Sequence, residues 1–149
     1  MQTIQQQRAK FALIEVQQYL KLLLDGAEHE LAQESDITKH ELIRKCNKAK
    51  IDKAKDEYKS YSSALPAMIH INGLGQAAAF YKSKGGTHKL LYGLLSEWLT
   101  KPNQPYAGKS DLIMGITEEN MHDYRLAQAE AQALMDWVKK FAKAYMAGD

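Results

Sequence analysis

Leu65-Pro66-Ala67-Met68-Ile69-His70-Ile71-Asn72-Gly73-Leu74-Gly75-Gln76-Ala77-Ala78-Ala79-Phe80-Tyr81-Lys82-Ser83-Lys84 is the stretch whose reading decides the fold. Pro66 has no N–H to donate and its ring crowds the preceding turn, so it stops a helix or opens a short new one at its first turn. A short apolar turn follows, then the Asn72-Gly73 break, then a helix that carries Leu74, Ala77, Ala78 and Tyr81 on one face. Gly85-Gly86 ends that helix. On this reading the segment is an elbow between two helices.

The flanking chain has the same period. Over residues 4–24, Ala12, Val16, Tyr19, Leu20 and Leu23 recur at steps of three and four, which predicts a first helix. Asp25-Gly26 and the acidic stretch through Asp36 read as a connection, with Thr38 and Glu41 forming a capping box for the next helix. That helix is predicted over about 39–65, with Ile51, Ala54, Tyr58, Tyr61 and Leu65 inward. Thr87 is positioned to cap a fourth helix over about 88–100 that buries Leu91, Leu94, Leu95 and Trp98. Residues 101–116 read as a loop, with Leu112–Ile116 pinned to the core. Thr117 is the expected cap of a last helix whose stripe is Met121, Tyr124, Gln128, Ala131, Met135, Val138, Ala142 and Tyr145, widened by Leu134, Trp137 and Phe141.

With 149 residues, 45% apolar, only nine Gly and three Pro, the chain suits one helical domain over 1–149; a β-sandwich of this length needs more turn residues. The expected fold is all-α, a compact bundle of five to six helices with no sheet. The single cysteine, Cys46, excludes an internal disulfide framework and fits a reducing compartment. No run reaches the ~20 apolar residues of a membrane span, and the N-terminus lacks the pattern of a secretion signal. A cytoplasmic protein is expected.

No reaction centre emerges from the motifs. Gly73-Leu74-Gly75-Gln76-Ala77-Ala78 has the letters of the dinucleotide fingerprint, but Met68–Ile71 is too short and too close to Pro66 for its first strand, and residues 88–100 have helical period where a second strand belongs. Ala107-Gly108-Lys109-Ser110 resembles the end of a phosphate-binding loop, yet Asn103 stands where its first glycine is required. His40-Glu41 opens like a zinc helix, but Arg44 occupies the position of the second ligand. His122-Asp123 is a lone pair, and Cys46 has no evident base. Neither a cofactor nor a metal is implied, and the chain reads as a non-enzyme.

Charge is the remaining signal. Net charge is +2, but residues 39–109 hold 13 Lys/Arg against five Asp/Glu, and the rest hold seven against 13. A basic middle of this kind suits a polyanionic partner, or is an ordinary solvated lysine-rich face. Arg44, Lys48, Lys55 and Lys59 lie along one edge of the second helix, and Lys82, Lys84 and Lys89 surround the Gly85-Gly86 bend. Together they can hold a phosphate backbone without reading sequence. Tyr58, Tyr61 and Tyr81 lie nearby and could stack on bases, although their helical phase assigns them to the core first.

Three segments carry a resemblance: YSSALPAMIHINGLGQAAAF from Tyr61 to Phe80, HKLLYGLLSEWL from His88 to Leu99, and Tyr124-Arg125 followed by Ala131, Leu134, Trp137, Lys140 and Phe141. In order and spacing they resemble the small all-helical subunit of the type III-B CRISPR (Cmr) RNA-guided effector complex. Arg8, Ala12 and Val16 fit more loosely. The resemblance implies a non-catalytic protein whose copies stack into an inner filament lining the channel for guide and target RNA in antiviral defence. Its implied partners are that RNA, the large and backbone subunits and further copies of itself, with no membrane. Arg125 and Lys140 match as basic positions that could face RNA, although Arg125 could equally pair with an acid such as Glu97. Asn72, Gly73 and Gln76 match but read as elbow residues. The acidic 28–36 segment is not part of the pattern. A helical adaptor whose basic face meets an acidic protein is the alternative.

Overall fold

The structure, a computed structural model, describes residues 1–32 and 36–147, apart from the side chains of residues 30–32, 37 and 38. Among the described residues there are six helices and no strand: α1 (Ile4–Ala32), α2 (Ile37–Asn72), α3 (Leu74–Lys84), α4 (Gly86–Leu99), α5 (Leu112–Glu118) and α6 (Met121–Tyr145). No helix is long and apolar enough to cross a membrane among these residues. α6 packs against α1, α2, α3 and α4, and its buried stripe of Ala127, Ala131, Leu134, Met135, Val138 and Ala142 forms the centre of the core. The two ends of the expected stripe differ: Met121 is 63% exposed and Tyr145 43%.

Several boundaries depart from the sequence reading, and tertiary burial accounts for the two largest departures. α2 does not stop at Pro66 but runs six residues past it to Asn72. An interior proline costs about 3 kcal/mol, whereas burying Leu65 and Ile69 contributes roughly 1.5–3 kcal/mol each. Both of those side chains are fully buried, one on each side of the proline, and Gln132 Nε2 donates to the Pro66 carbonyl at 3.0 Å. α1 likewise continues through Gly26 to Ala32. A single interior glycine costs only about 1 kcal/mol and its neighbours are strong helix formers. The acidic segment is therefore helical over 28–32, while residues 33–35 and the Thr38 side chain of the expected capping box lie outside the described residues.

The caps also differ. Gly85, with φ 72°, precedes α4, and Thr87 is already inside the helix, buried, with its hydroxyl on Glu57 Oε2 at 3.2 Å. Thr117 bonds back to the Ile113 carbonyl at 2.9 Å within α5, and Asn120 caps α6 by accepting from the Asp123 N–H at 2.9 Å. The expected loop ends early because Asp111 caps α5 through the Met114 N–H at 2.9 Å and Leu112 is fully buried. Gly115 of α5 lies against the buried Tyr106 ring, where a Cβ would fall well inside van der Waals contact.

One carboxylate joins three helices. Glu130 accepts from Arg8 Nε at 2.8 Å, Arg8 Nη2 at 2.6 Å and Trp98 Nε1 at 2.8 Å, linking α6 to α1 and α4. Burial acts to raise its pKa, but the hydrogen bonds from Arg8 and Trp98 and the Arg8 charge outweigh that and hold it below the usual carboxylate range. This contribution is complete above the ordinary carboxylate value of 4.5 and is lost as pH falls through the lower folded value. Arg8→Ala should cost about 2–3 kcal/mol near neutral pH, because it leaves a buried charge with one donor. It should also flatten the fall of Tm between about pH 5 and pH 3; an acid limb as steep as that of the unaltered chain in thermal melts would refute the assignment.

Tyr58 presents the opposite situation. Its ring stacks on Tyr19 with centroids 5.0 Å apart, while its buried hydroxyl has no hydrogen-bond partner among the described residues. Burial is the main reason its hydroxyl titrates well above the usual tyrosine range. Tyr58→Phe should therefore be stabilising by about 1 kcal/mol in denaturant titrations. A loss of similar size would instead reveal a bound water satisfying the hydroxyl.

Candidate nucleic-acid interface

The basic residues singled out in the sequence fall in three places. The first is the paired segment of α1 and α2 before Tyr58. Between residues 17 and 57, among the described side chains, Asn47 alone is buried. The two helices touch through the Tyr19–Tyr58 stack and a long bond of 3.5 Å from Asn47 Nδ2 to the Ala27 carbonyl. Along this pair runs a shallow groove of about 320 Å³, with Arg44, Lys48 and Lys55 on its wall beside Leu24, Ile51 and a single acid, Asp52. None of the three cations forms an ion pair among the described residues. Lys59, one turn on, is half-buried and meets Asp56 at 3.4 Å.

The second place is the junction of α3 and α4. Lys82 is compensated: it meets Asp111 Oδ2 at 3.2 Å and lies 5.4 Å from the Tyr92 ring centroid. The hydrogen bond to Asp111, with the nearby Tyr92 hydroxyl and the carboxylate charge, raises the Lys82 pKa; the Met114 N–H, followed by Lys82, lowers that of Asp111. Lys84 and Lys89 are exposed and make no ion pair among the described residues, and Lys84 Nζ lies 5.3 Å from the Phe80 centroid. His88 stacks on Tyr61 with centroids 3.8 Å apart. Burial, helped by the charge of Lys84 and opposed by Glu57, lowers its pKa.

The third is α6. Arg125 is exposed and shares a shallow groove of about 410 Å³ with His70, Met121, Tyr124 and Gln132, without forming the ion pair with Glu97 that its position allowed. Lys140 is exposed, about 22 Å further along the helix axis at ~1.5 Å per residue. Lys109, counted in the basic middle, is neutralised by Glu118 at 3.0 Å and Glu119 at 2.7 Å.

The tyrosines considered for base stacking belong to the core. Tyr58 and Tyr81 are buried, and the Tyr81 hydroxyl donates to the Tyr61 carbonyl at 2.7 Å. Tyr61 is half-buried beneath His88. The exposed aromatic ring of this region is Phe80, 40% accessible, which the sequence reading placed only within a matching segment. Its spacing of four residues from Gln76 and Lys84 was the available signal.

Gly73–Ala78 turns out to be the head of α3, preceded by helix where the dinucleotide fingerprint needs a strand. Two N–H groups of its first turn are already used, Leu74 by Gln128 Oε1 at 3.0 Å and Gly75 by the Tyr124 hydroxyl at 2.9 Å. Neither is available for a pyrophosphate.

With the geometry in hand, two likenesses to known proteins bear on the chain. Its sequence is 28% identical over 111 residues to the "CRISPR system Cmr subunit Cmr5" of Thermus thermophilus, an alignment spanning 74% of this chain and 93% of that one. The profile of the family described as CRISPR-associated protein (Cas_Cmr5) matches residues 31–145, from the end of α1 to the end of α6. Since that match spans well over half of its length, the chain belongs to the Cas_Cmr5 family of CRISPR-associated proteins.

Proposed function

We propose that the chain is a non-catalytic subunit of a Cmr-type CRISPR effector complex, stacking in several copies to line the channel where guide and target RNA pair in antiviral defence. The supporting observation is the groove on α1 and α2 where Arg44, Lys48 and Lys55 stand together without an ion pair among the described residues. Cations so placed meet phosphates at intervals and carry no sequence information, as a subunit serving any guide requires. Family membership and the Cmr complex named for the Thermus relative point the same way. Lys84, Lys89, Arg125 and Lys140 offer further, separate contacts, and Lys59 and Lys82 become available when RNA displaces a carboxylate.

A second reading, a helical adaptor, draws on a different observation. Leu22, Leu24 and Leu42 are exposed on the same pair of helices that carries the basic groove. A partly apolar, partly basic edge also suits an acidic protein surface, including the acidic segment of another copy.

Charge reversal separates the two. In a reconstituted complex with guide and target RNA, Lys48→Glu, Lys55→Glu and Lys59→Glu together should weaken target binding by about tenfold or more at ~0.1 M salt. The salt slope should fall by about 2, from three lost contacts at ~0.7 each on a single strand. An assembled complex with unaltered affinity and slope would rule out the RNA contact. Failure of the variant to enter the complex would favour the adaptor.

A further inference from the structure

Between Glu57 and Glu97 the chain contains no acidic residue and four lysines, Lys59, Lys82, Lys84 and Lys89. This acid-free stretch includes the elbow and all of α3. Across it, Met68, Asn72, Gln76, Phe80 and Lys84 follow one another at steps of four. The break at Gly73 does not interrupt the row, because Met68, Asn72, Gln76 and Phe80 line one shallow groove of about 440 Å³.

The amides of this row are unengaged among the described residues, and its aromatic member is met only at its edge or at a tilt by other rings. Asn72 and Gln76 are exposed, and neither side-chain amide makes a hydrogen bond among the described residues. The Phe80 ring meets His88 edge-on, at 89° and 6.0 Å, and Tyr81 tilted, at 59° and 6.1 Å, so neither ring stacks on it. Lys84 Nζ, 5.3 Å from the Phe80 centroid, is exposed and makes no ion pair among the described residues. Of the carboxylates near this bend, Asp111 is occupied by Lys82 and Glu57 accepts from the Thr87 hydroxyl at 3.2 Å.

We infer that this row is a docking site for an unpaired nucleotide of single-stranded RNA, with its base stacked on Phe80. Asn72 and Gln76 meet the base edge, since a carboxamide offers both a donor and an acceptor to any base. Lys84 moves from the ring to the neighbouring phosphate. An acidic peptide would make poor use of the row, which has one cation and two neutral amides. A nucleotide uses a π-face, an edge and one charge. The inference rests on the RNA-lining role proposed above, and assigns it a base contact where that role required only backbone contacts.

The test uses the complete effector complex with guide and target RNA. Ultraviolet crosslinking followed by mass spectrometry should give nucleotide adducts within residues 68–84 of the unaltered chain. Phe80→Leu keeps the apolar volume and removes the π-face. It should reduce adduct yield and weaken target binding by about tenfold, while Phe80→Trp should retain both. Adducts confined to residues 44–59, or undiminished affinity for Phe80→Leu in an assembled complex, would overturn the base site and leave the backbone contacts intact. Silence at Phe80 together with silence of the Lys48, Lys55 and Lys59 reversals would overturn the RNA-lining role itself. Protein crosslinks from this row would assign it to a subunit contact and overturn the inference. Should Phe80→Leu fail to assemble, the adducts on the unaltered chain decide alone.

Discussion

Two backbone N–H groups at the head of α3 set the geometry of the molecule. The first turn of a helix leaves its amides without internal partners, and here Leu74 and Gly75 find theirs on Gln128 and Tyr124, one turn apart on α6. The approach is close enough that a Cβ at Gly73 would stand 3.0 Å from the Tyr124 hydroxyl, and the backbone there has φ 87°, which favours glycine. The elbow thus locks α2, α3 and α6 to one another. With Ala77 and Ala78 turned inward, it fixes which face of α3 points out, and that face carries Gln76, Phe80 and Lys84.

Charge is distributed unevenly between structural and available roles. Arg8 and Glu130 are engaged inside the bundle, where Trp98 completes the shell of the carboxylate. Lys82 and Lys109 hold α5 and its flanks through Asp111, Glu118 and Glu119. Of the cations singled out in the sequence, Arg44, Lys48, Lys55, Lys84, Lys89, Arg125 and Lys140 make no ion pair among the described residues, a property they share with lysines outside that set such as Lys45, Lys50 and Lys53. Burial removes Tyr58 and Tyr81 from consideration as stacking rings and leaves Phe80.

Helical class and the inward stripes were legible in the sequence because period is a local property. Leu91, Leu94, Leu95 and Trp98, and Ala131, Leu134, Met135 and Val138, are buried as their spacing predicts. Boundaries were less legible because they are settled by competition. Pro66 is a strong local breaker that loses to Leu65 and Ile69, and Gly26 is a weak one that loses to its neighbours. Thr87 and Thr117 are good capping residues at positions where Gly85 and Asn120 took the role. At the candidate interface the sequence showed which residues are basic but not which are engaged. The partner of Lys82 is 29 residues away, and that of Lys109 depends on a helix, α5, that read as loop. Phe80 was passed over because period alone does not separate a ring at the edge of a buried face from one within it.

The paired segment of α1 and α2 has a thermodynamic consequence. With no buried apolar side chain described between residues 17 and 57, opening it exposes little new apolar surface. The free energy that closes it is therefore a small part of the global stability, and its amides should exchange through local openings that leave the rest of the molecule folded. Within the segment the described links between the helices are the Tyr19–Tyr58 stack and the Asn47 bond to the Ala27 carbonyl, so helix propensity carries much of its order. Part of the backbone helicity should then be lost earlier in an unfolding titration than the ordered environment of Trp98 and Tyr106, which belong to the buried core.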